Sequence, residues 1–382
     1  MKYSYALDWV QGLVSGVVCD AATWSKVWDK RQKAAKEGTP DRFFRFMDWE
    51  AEMLPGAGYG RGSHAMSYSF NVGDFLHVQL ASVSGLDDKE RSVAFVQLKG
   101  KGCAGMQTRR CLDHFQEICG QFGIQDPVIK PNRVDFRCDI SGLNVSYFEQ
   151  LTNRRSFVTL AKKYQPHFAI SSNFTMETMY YGSKDGDIKF RLYDKLRELQ
   201  VGGRAKLEHY KATNPGWVEQ ETTRVEIEMN REYLSSRMHV DTLDDLRRSL
   251  QVMVGHCCLK WLRFVDDSTV TRHTNAMLDP VWGRMYEQWQ EVLAGDEPDS
   301  EPLKFKFVDK DARFAQAAGC LVSVAAGTLD ELDKLQAQFN SYVDEHREKL
   351  NDKLRDARET RLRTLGEFAD AAQKAHVRTL AE

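Results

Sequence analysis

The chain has 382 residues, of which 42% are hydrophobic and 11% are aromatic. It is therefore long and apolar enough to bury a sizeable core in two or three domains, and its composition excludes a disordered protein. No run of about 18 apolar residues is present, so no membrane span is expected. The formal net charge of −2 does not by itself indicate a nucleic-acid binder, although a balanced total can contain a basic face.

The eight cysteines are read as small core residues rather than as disulfides or a zinc site. No pair has the CxxC spacing of a zinc ligand set, and Cys257 and Cys258 lie in an apolar run. The segment Met1–Asp8 lacks the apolar core of a signal peptide. We therefore expect a soluble protein of a reducing cytoplasm, with no membrane partner.

Residues 1–235 combine strand-like runs with a few helices. The runs either alternate at period two or are densely apolar, as expected for strands of a sheet with at least one buried face. A helical pattern separates them at residues 106–122. The predicted strands before the hairpin are Met66–Val72, Leu76–Leu80, Val93–Leu98 and Arg133–Ile140, and Thr222–Met229 follows it.

The strongest local signal is a β-hairpin. Its arms are Thr178–Tyr181 and Asp187–Tyr193, and the turn Gly182–Gly186 contains an Asp-Gly pair. Glycine accepts the positive φ that a tight hairpin turn requires. Hairpins and alternating strands together predict an antiparallel sheet with helices on one face, which is an α+β fold.

The pattern after Asn230 is helical. A helix start is predicted at Thr242-x-x-Asp245, and a second helix begins at Asp279-Pro280. A third helix follows Thr328-x-x-Glu331, and its apolar stripe can pack on the protein body or on a second copy. We therefore predict an α+β domain at 1–235, a helical extension at 236–294, an acidic, proline-containing linker at 295–303, and a C-terminal helical region at 304–382.

Two pairs of carboxylates lie at even spacing on predicted strands. Asp135 and Asp139 are four residues apart, and Glu226 and Glu228 are two apart, so each pair faces one side of its strand. Such oxygen-rich pockets suit Mg²⁺ or Mn²⁺, which would polarise a phosphoryl oxygen. The simpler interpretation is a solvated face on which these carboxylates pair with nearby arginines.

Tyr193 ends the second arm of the hairpin and is a candidate nucleophile. A tyrosine oxygen can attack a phosphodiester and form a covalent phosphotyrosine. Arg191, Lys189 and Lys195 are then candidates to hold the phosphate backbone. Spacing alone does not select Tyr193 from thirteen tyrosines, most of which are expected to pack within the structure.

The hairpin resembles the Rep_trans family of rolling-circle replication initiators of plasmids and phages, which also has related relaxases. The family pattern is T-I-Y-x-G-S-R, a short turn, and then x-x-R-x-Y-[DE]-K. Met179 and Lys184 replace the family's Ile and Arg, and the rest of the pattern is kept. The other segments that resemble the family in the same order are Ala6–Val10, Val96–Cys103, Asn132–Asp139 and Thr223–Glu228.

The resemblance covers about residues 5–235 and implies an enzyme that nicks one DNA strand and transfers it. Tyr193 would become linked to the 5′ phosphate and leave a 3′ hydroxyl. Mg²⁺ or Mn²⁺ would be held by acidic residues, of which Asp135 and Glu226 map onto motif positions and Asp139 and Glu228 are further candidates. Arg133 and Arg224 are further candidates to bind DNA, in addition to Arg191, Lys189 and Lys195.

The implied partners are origin DNA, at a single-stranded or cruciform nick site, together with a host helicase and a second copy of the chain. His167 has no second histidine at the spacing of a His-hydrophobic-His metal motif, so it is not expected to bind a metal.

Two alternative functions remain. The chain can be a catalytically inactive relative that binds DNA and regulates replication or transcription. The intact Tyr193, Asp135 and Glu226 argue against that interpretation. It can also be a helical scaffold, but that interpretation rests only on the C-terminal helix.

Overall fold

The structure is a computed structural model of the chain. It describes residues 1–19, 22, 24–27, 29, 43–46, 49–54, 66–81, 92–169, 175–214, 219–266, 276–295, 332–348 and 350–351. Within these residues the chain is an α+β protein, as the sequence predicts.

An antiparallel sheet dominates the described part of the chain. Its eleven strands are β1 (Lys2–Val18), β2 (Phe43–Phe46), β3 (Trp49–Met53), β4 (Met66–Val72), β5 (Leu76–Ala81), β6 (Ser92–Leu98), β7 (Ile124–Ser141), β9 (Tyr164–Ala169), β10 (Thr175–Tyr181), β11 (Ile188–Asp194) and β12 (Thr222–Asn230). They follow the order β2-β3-β4-β5-β6-β1-β7-β12-β11-β10-β9. The two longest strands, β1 and β7, pair along most of their length at the centre of the sheet.

Helices and a second, smaller sheet complete the described fold. The small sheet contains β8 (Phe157–Thr159), β13 (Leu262–Asp266) and β14 (Met277–Leu278). The helices are α1 (Gly100–Cys103), α2 (Thr108–Gly120), α3 (Ser146–Asn153), α4 (Lys195–Val201), α5 (Arg204–Thr213), α6 (Arg231–Ser236), α7 (Leu243–His256), α8 (Pro280–Gly295) and α9 (Leu332–Glu345). A π-helical turn, Cys257–Trp261, continues α7.

The predicted hairpin is confirmed. β10 and β11 pair with Thr178 opposite Tyr193 and with Tyr181 opposite Phe190. Gly182 has a φ of +112°, and a Cβ there would lie 2.9 Å from the carbonyl oxygen of Ile188, so only glycine fits where the chain leaves β10.

The predicted helix start at Thr242 is also confirmed. The Thr242 hydroxyl accepts a hydrogen bond from the Asp245 N–H, and the Asp245 carboxylate accepts one from the Thr242 N–H. This reciprocal pair satisfies two of the amide groups that a helix leaves unpaired at its N-terminus. Pro280 likewise opens α8, where the missing N–H of proline costs nothing.

One face of the sheet is apolar and lies against the helices that follow β12. Along β12, Val225, Ile227 and Met229 alternate with charged residues and are fully buried. Phe190 of β11 stacks on Trp261, with ring centroids 5.3 Å apart, and also contacts Trp282 of α8. Because the side chains of a strand alternate between its two faces, the charged residues are left on the opposite face.

The chain divides into two compact units, Met1–Leu303 and Lys304–Glu382. Residues 236–294 belong to the first unit, in which α7 and α8 contact the sheet. In the second unit the structure describes α9, within the predicted helical region. The predicted linker beyond Gly295 and the capping residues Thr328 and Glu331 lie outside the described residues. None of the described helices combines the length and apolar character that crossing a bilayer requires.

The two faces of β11 differ in what they contribute to stability. Replacing Phe190→Ala removes a fully buried ring and should lower the free energy of unfolding by about 3–5 kcal/mol. The neighbouring Lys189→Ala on the charged face should cost less than about 1 kcal/mol. Urea unfolding of both variants checks this, and equal losses would contradict the assignment of the faces.

Candidate active site

The residues that the sequence singles out converge on one face of the sheet, formed by β7, β12 and β11. Cross-strand pairing arranges them in rows. One row joins Asp139, Arg224 and Tyr193, and the next joins Arg137, Glu226 and Arg191. A third row joins Asp135, Glu228 and Lys189. We call these nine residues, with Arg133 of β7 and Asp8 of β1, the charged face.

Tyr193 is buried in this face, with 7% of its surface exposed. Its hydroxyl donates a hydrogen bond to Oε2 of Glu226 at 3.2 Å. The guanidinium of Arg191 lies over the ring, 4.9 Å from its centroid, and the Lys195 ammonium lies 5.9 Å from the same centroid. The phenol therefore has a proton acceptor and two neighbouring cations.

The surroundings of Tyr193 hold its proton firmly in the resting state. Burial raises the pKa of Tyr193 well above its usual value, and the charges of Glu226 and Asp8 raise it further. Arg224 and Arg191 act in the opposite direction. Burial also raises the pKa of Glu226, which makes its carboxylate a better base. Glu226 is therefore the carboxylate that accepts the hydrogen bond of the phenol, and the raised pKa of Tyr193 keeps the phenol protonated in the resting state.

Asp139 forms the most completely neutralised ion cluster of the face. It is 1% exposed, and it accepts hydrogen bonds from Arg137, from Tyr210 of α5 and from Nε of Arg224 at 2.5 Å. Burial by itself would raise the pKa of Asp139, but Arg224 and Arg137 hold it well below its usual range. Asp139 is therefore an ionised carboxylate that fixes two guanidinium groups in place.

A second cluster contains Asp135, Glu228 and Arg133. Asp135 and Glu228 are directly opposite on neighbouring strands, and the Arg133 guanidinium binds both, at 2.5 and 2.8 Å. Lys189 also binds Glu228 at 2.8 Å. Burial raises the pKa of Asp135 to about 7, against the pull of Arg133 and with the help of two nearby glutamates. Arg133 thus bridges two carboxylates, of which Asp135 is partly protonated at neutral pH.

Lys195 begins α4 directly after β11 and lies beside Tyr193. It is 5% exposed, and its ammonium binds Glu198 at 2.8 Å. Burial and the charge of Arg224 lower the pKa of Lys195 to about 8, although Glu198 and Asp139 partly oppose the change. The side chain is charged at neutral pH and can lose its proton in a mildly alkaline medium.

The predicted metal ligands do not assemble into a metal site. Within the described residues no three His, Cys, Asp or Glu side chains are grouped as a metal ion requires. Asp139 is bound by Arg137 and Arg224, and Glu226 by Arg191, whereas Asp135 and Glu228 share Arg133. A divalent ion does not fit this arrangement unless these cations are displaced. The requirement for Mg²⁺ or Mn²⁺ stays a prediction.

The predicted DNA contacts differ in their access to solvent. The side chains of Arg191, Arg133 and Lys189 are 38%, 29% and 23% exposed and can meet a phosphate at the surface. Arg224 is 2% exposed and, like Lys195, is already bound to a carboxylate.

The exposed edge strand β9 brings His167 beside Tyr180, with ring centroids 5.2 Å apart.

Two residues of the site were missed by sequence reasoning. A bulge in β1 between Leu7 and Trp9 brings Asp8 to the charged face, where it binds Arg224 at 3.1 Å. An aspartate within the apolar run Ala6–Val10 was the available signal. Tyr210 is brought to Asp139 by α5, and no motif distinguishes it from other tyrosines.

Comparisons with known proteins show a distant likeness to solved structures. No family model matches the chain, and no curated protein matches it. A solved structure described as a rolling circle replication initiator protein from Geobacillus stearothermophilus is 15% identical, with a TM-score of 0.44. The match covers 76% of this chain and 97% of that chain. This degree of similarity assigns neither a family nor a chemistry, so membership of the Rep_trans family stays a prediction.

The ion cluster of Asp139 makes a prediction about stability. Asp139→Asn should lower the free energy of unfolding by about 3–5 kcal/mol, because two buried guanidinium groups lose their shared counter-charge. Glu228→Gln, in the more exposed cluster, should cost about 1 kcal/mol. Urea unfolding followed by circular dichroism measures both values. A smaller loss for Asp139→Asn than for the control would show that the cluster does not stabilise the fold.

Proposed function

We propose that the chain nicks one strand of DNA at a replication origin and stays linked to the 5′ phosphate through Tyr193. The observation that carries the proposal is the hydrogen bond from the Tyr193 hydroxyl to Glu226, in a setting of arginine and lysine side chains. A nucleophile with an adjacent acceptor and cations for the phosphate is what transesterification of a phosphodiester requires.

The proposed reaction begins when a phosphate of the strand approaches over Arg191, the most exposed cation of the charged face. Glu226 takes the proton of Tyr193, and the phenolate oxygen forms a bond to phosphorus. The bond from phosphorus to the 3′ oxygen breaks, and that oxygen takes a proton to become a 3′ hydroxyl. Arg191 neutralises charge on the non-bridging phosphate oxygens. Attack by a 3′ hydroxyl on the phosphotyrosine reverses these steps and completes strand transfer.

Lys195 supplies a second cation beside the phenol ring. Its ammonium lies 5.9 Å from the Tyr193 ring centroid. Because its pKa is lowered, the ammonium can donate a proton to the departing 3′ oxygen. A divalent metal, a host helicase and a second copy of the chain remain part of the proposal, and the steps above do not depend on them.

Removing the nucleophile tests the proposal directly. Tyr193→Phe should abolish both nicking of supercoiled origin DNA and the covalent protein–DNA adduct seen on denaturing gels, while DNA binding persists. Tyr180→Phe, on the neighbouring strand, is the matched control and should keep both activities. Assays with and without Mg²⁺ or Mn²⁺ test the metal requirement. Normal nicking by Tyr193→Phe would refute the assignment. Binding without an adduct in the unmodified chain would favour a regulatory DNA-binding protein.

The pKa of Lys195 predicts a pH dependence. The ammonium is charged below about pH 8 and loses its proton above it, so the nicking rate should fall as the pH rises through about 8. Lys195→Arg keeps the charge and should move this decline to higher pH, whereas Lys195→Met should leave a slower rate that lacks the decline near pH 8. Rates measured from pH 6 to 10 under single-turnover conditions check this. An unchanged alkaline decline in Lys195→Arg would assign it to another group.

A further inference from the structure

A cavity of about 270 Å³ opens on the charged face where β1 runs beside β7. Its floor is formed by Ser4 and Ala6 of β1, which lie opposite Asp139 and Arg137 of β7. Small side chains at these two positions leave the space that larger residues would fill. Tyr210 and Asn214, at and just beyond the end of α5, form one wall.

A loop beside the end of α5 contributes Met106 and Gln107 to the lining of the cavity. Gly105 has a φ of +75°, and a Cβ there would lie 3.3 Å from the carbonyl oxygen of Thr213. Both facts favour glycine where this loop passes α5. The walls therefore come from three separate parts of the chain and meet at a defined position.

The described residues that line the cavity contain cations and neutral polar groups but no carboxylate. Arg137, 3% exposed, is held there by Asp139 and by Oδ1 of Asn214, which accepts from its Nη2 at 3.3 Å. Lys2 lies at the rim. Tyr210 is 7% exposed and has Lys195 and Arg224 over its ring, 5.3 and 5.8 Å from the centroid, so it offers only a small part of the ring. Gln107 and Ser4 offer hydrogen-bonding groups. This combination suits a flat, polar, aromatic ligand attached to a phosphate, and it does not suit a metal ion.

The cavity lies in the same row as the nucleophile. Ser4, Asp139, Arg224 and Tyr193 are partners on four successive strands. Three strand spacings place Ser4 about 14 Å from Tyr193. At about 3.4 Å per nucleotide in a strand of B-form DNA, this distance is no more than about four nucleotides.

We propose that this cavity binds one unpaired nucleobase of the strand that Tyr193 cuts and so fixes which phosphate reaches the nucleophile. The inference rests on the proposed nicking function and adds a site that reads the strand within about four nucleotides of the cut. The base enters between Ser4 and Gln107 and packs against the small exposed part of Tyr210, and its phosphate meets Lys2.

The test measures binding without relying on catalysis. The full chain with Tyr193→Phe is titrated into oligothymidylate that carries one 2-aminopurine, whose fluorescence falls when the base stacks. Ser4→Leu, which fills the floor of the cavity, should weaken this quenching by roughly tenfold. Ser15→Leu, on the same strand but outside the cavity, is the matched control and should leave it unchanged. Tyr210→Phe keeps the ring and should also retain the quenching.

Competition identifies the ligand. Deoxynucleoside monophosphates should restore the fluorescence, and inorganic phosphate at the same concentration should not. Equal displacement by phosphate would overturn the nucleobase assignment and indicate an anion site. Unchanged quenching in Ser4→Leu would also overturn the proposal. Neither outcome affects the nicking function, which is judged separately from the covalent adduct on Tyr193.

Discussion

The buried guanidinium of Arg224 is the constraint on which the charged face depends. It is 2% exposed and binds Asp139 of β7 and Asp8 of β1, and it lies opposite Tyr193 of β11. A buried charge without partners costs several kcal/mol, so Arg224 requires both carboxylates, and they require it. This mutual need joins four strands at one point and determines where the phenol of Tyr193 lies. The resting protonation of Tyr193 and the basicity of Glu226 both follow from that burial.

Much of this arrangement could be predicted from the sequence, because strand alternation and turn chemistry act locally. The Asp-Gly pair in the turn after Tyr181 predicts the hairpin, and the even spacing of Glu226 and Glu228 places both on one face. The apolar residues that alternate with these glutamates, Val225, Ile227 and Met229, predict the face that packs on helices. Motif order, rather than periodicity, selected Tyr193 from the other tyrosines.

The partners of each carboxylate could not be predicted, because they depend on register between strands that are distant in sequence. Asp139 is opposite Arg224, whereas Asp135 is opposite Glu228. Asp8 required a bulge, and Tyr210 required the path of α5. Neither a bulge nor the docking of a helix leaves a distinct signal in a single sequence.

The position of β12 also has a consequence for how the chain folds. β10 and β11 are joined by a short turn and can pair as soon as both have been synthesised. β12 must then insert between β11 and β7, whose own partner β1 comes from the start of the chain. Closing such long loops is slow because chain entropy is lost before contacts compensate for it. The charged face is therefore expected to assemble late. A nascent chain that ends before β12 lacks Glu226, which accepts the hydrogen bond of the Tyr193 hydroxyl. The hydrogen bond between Tyr193 and Glu226 would thus form in a late step of folding.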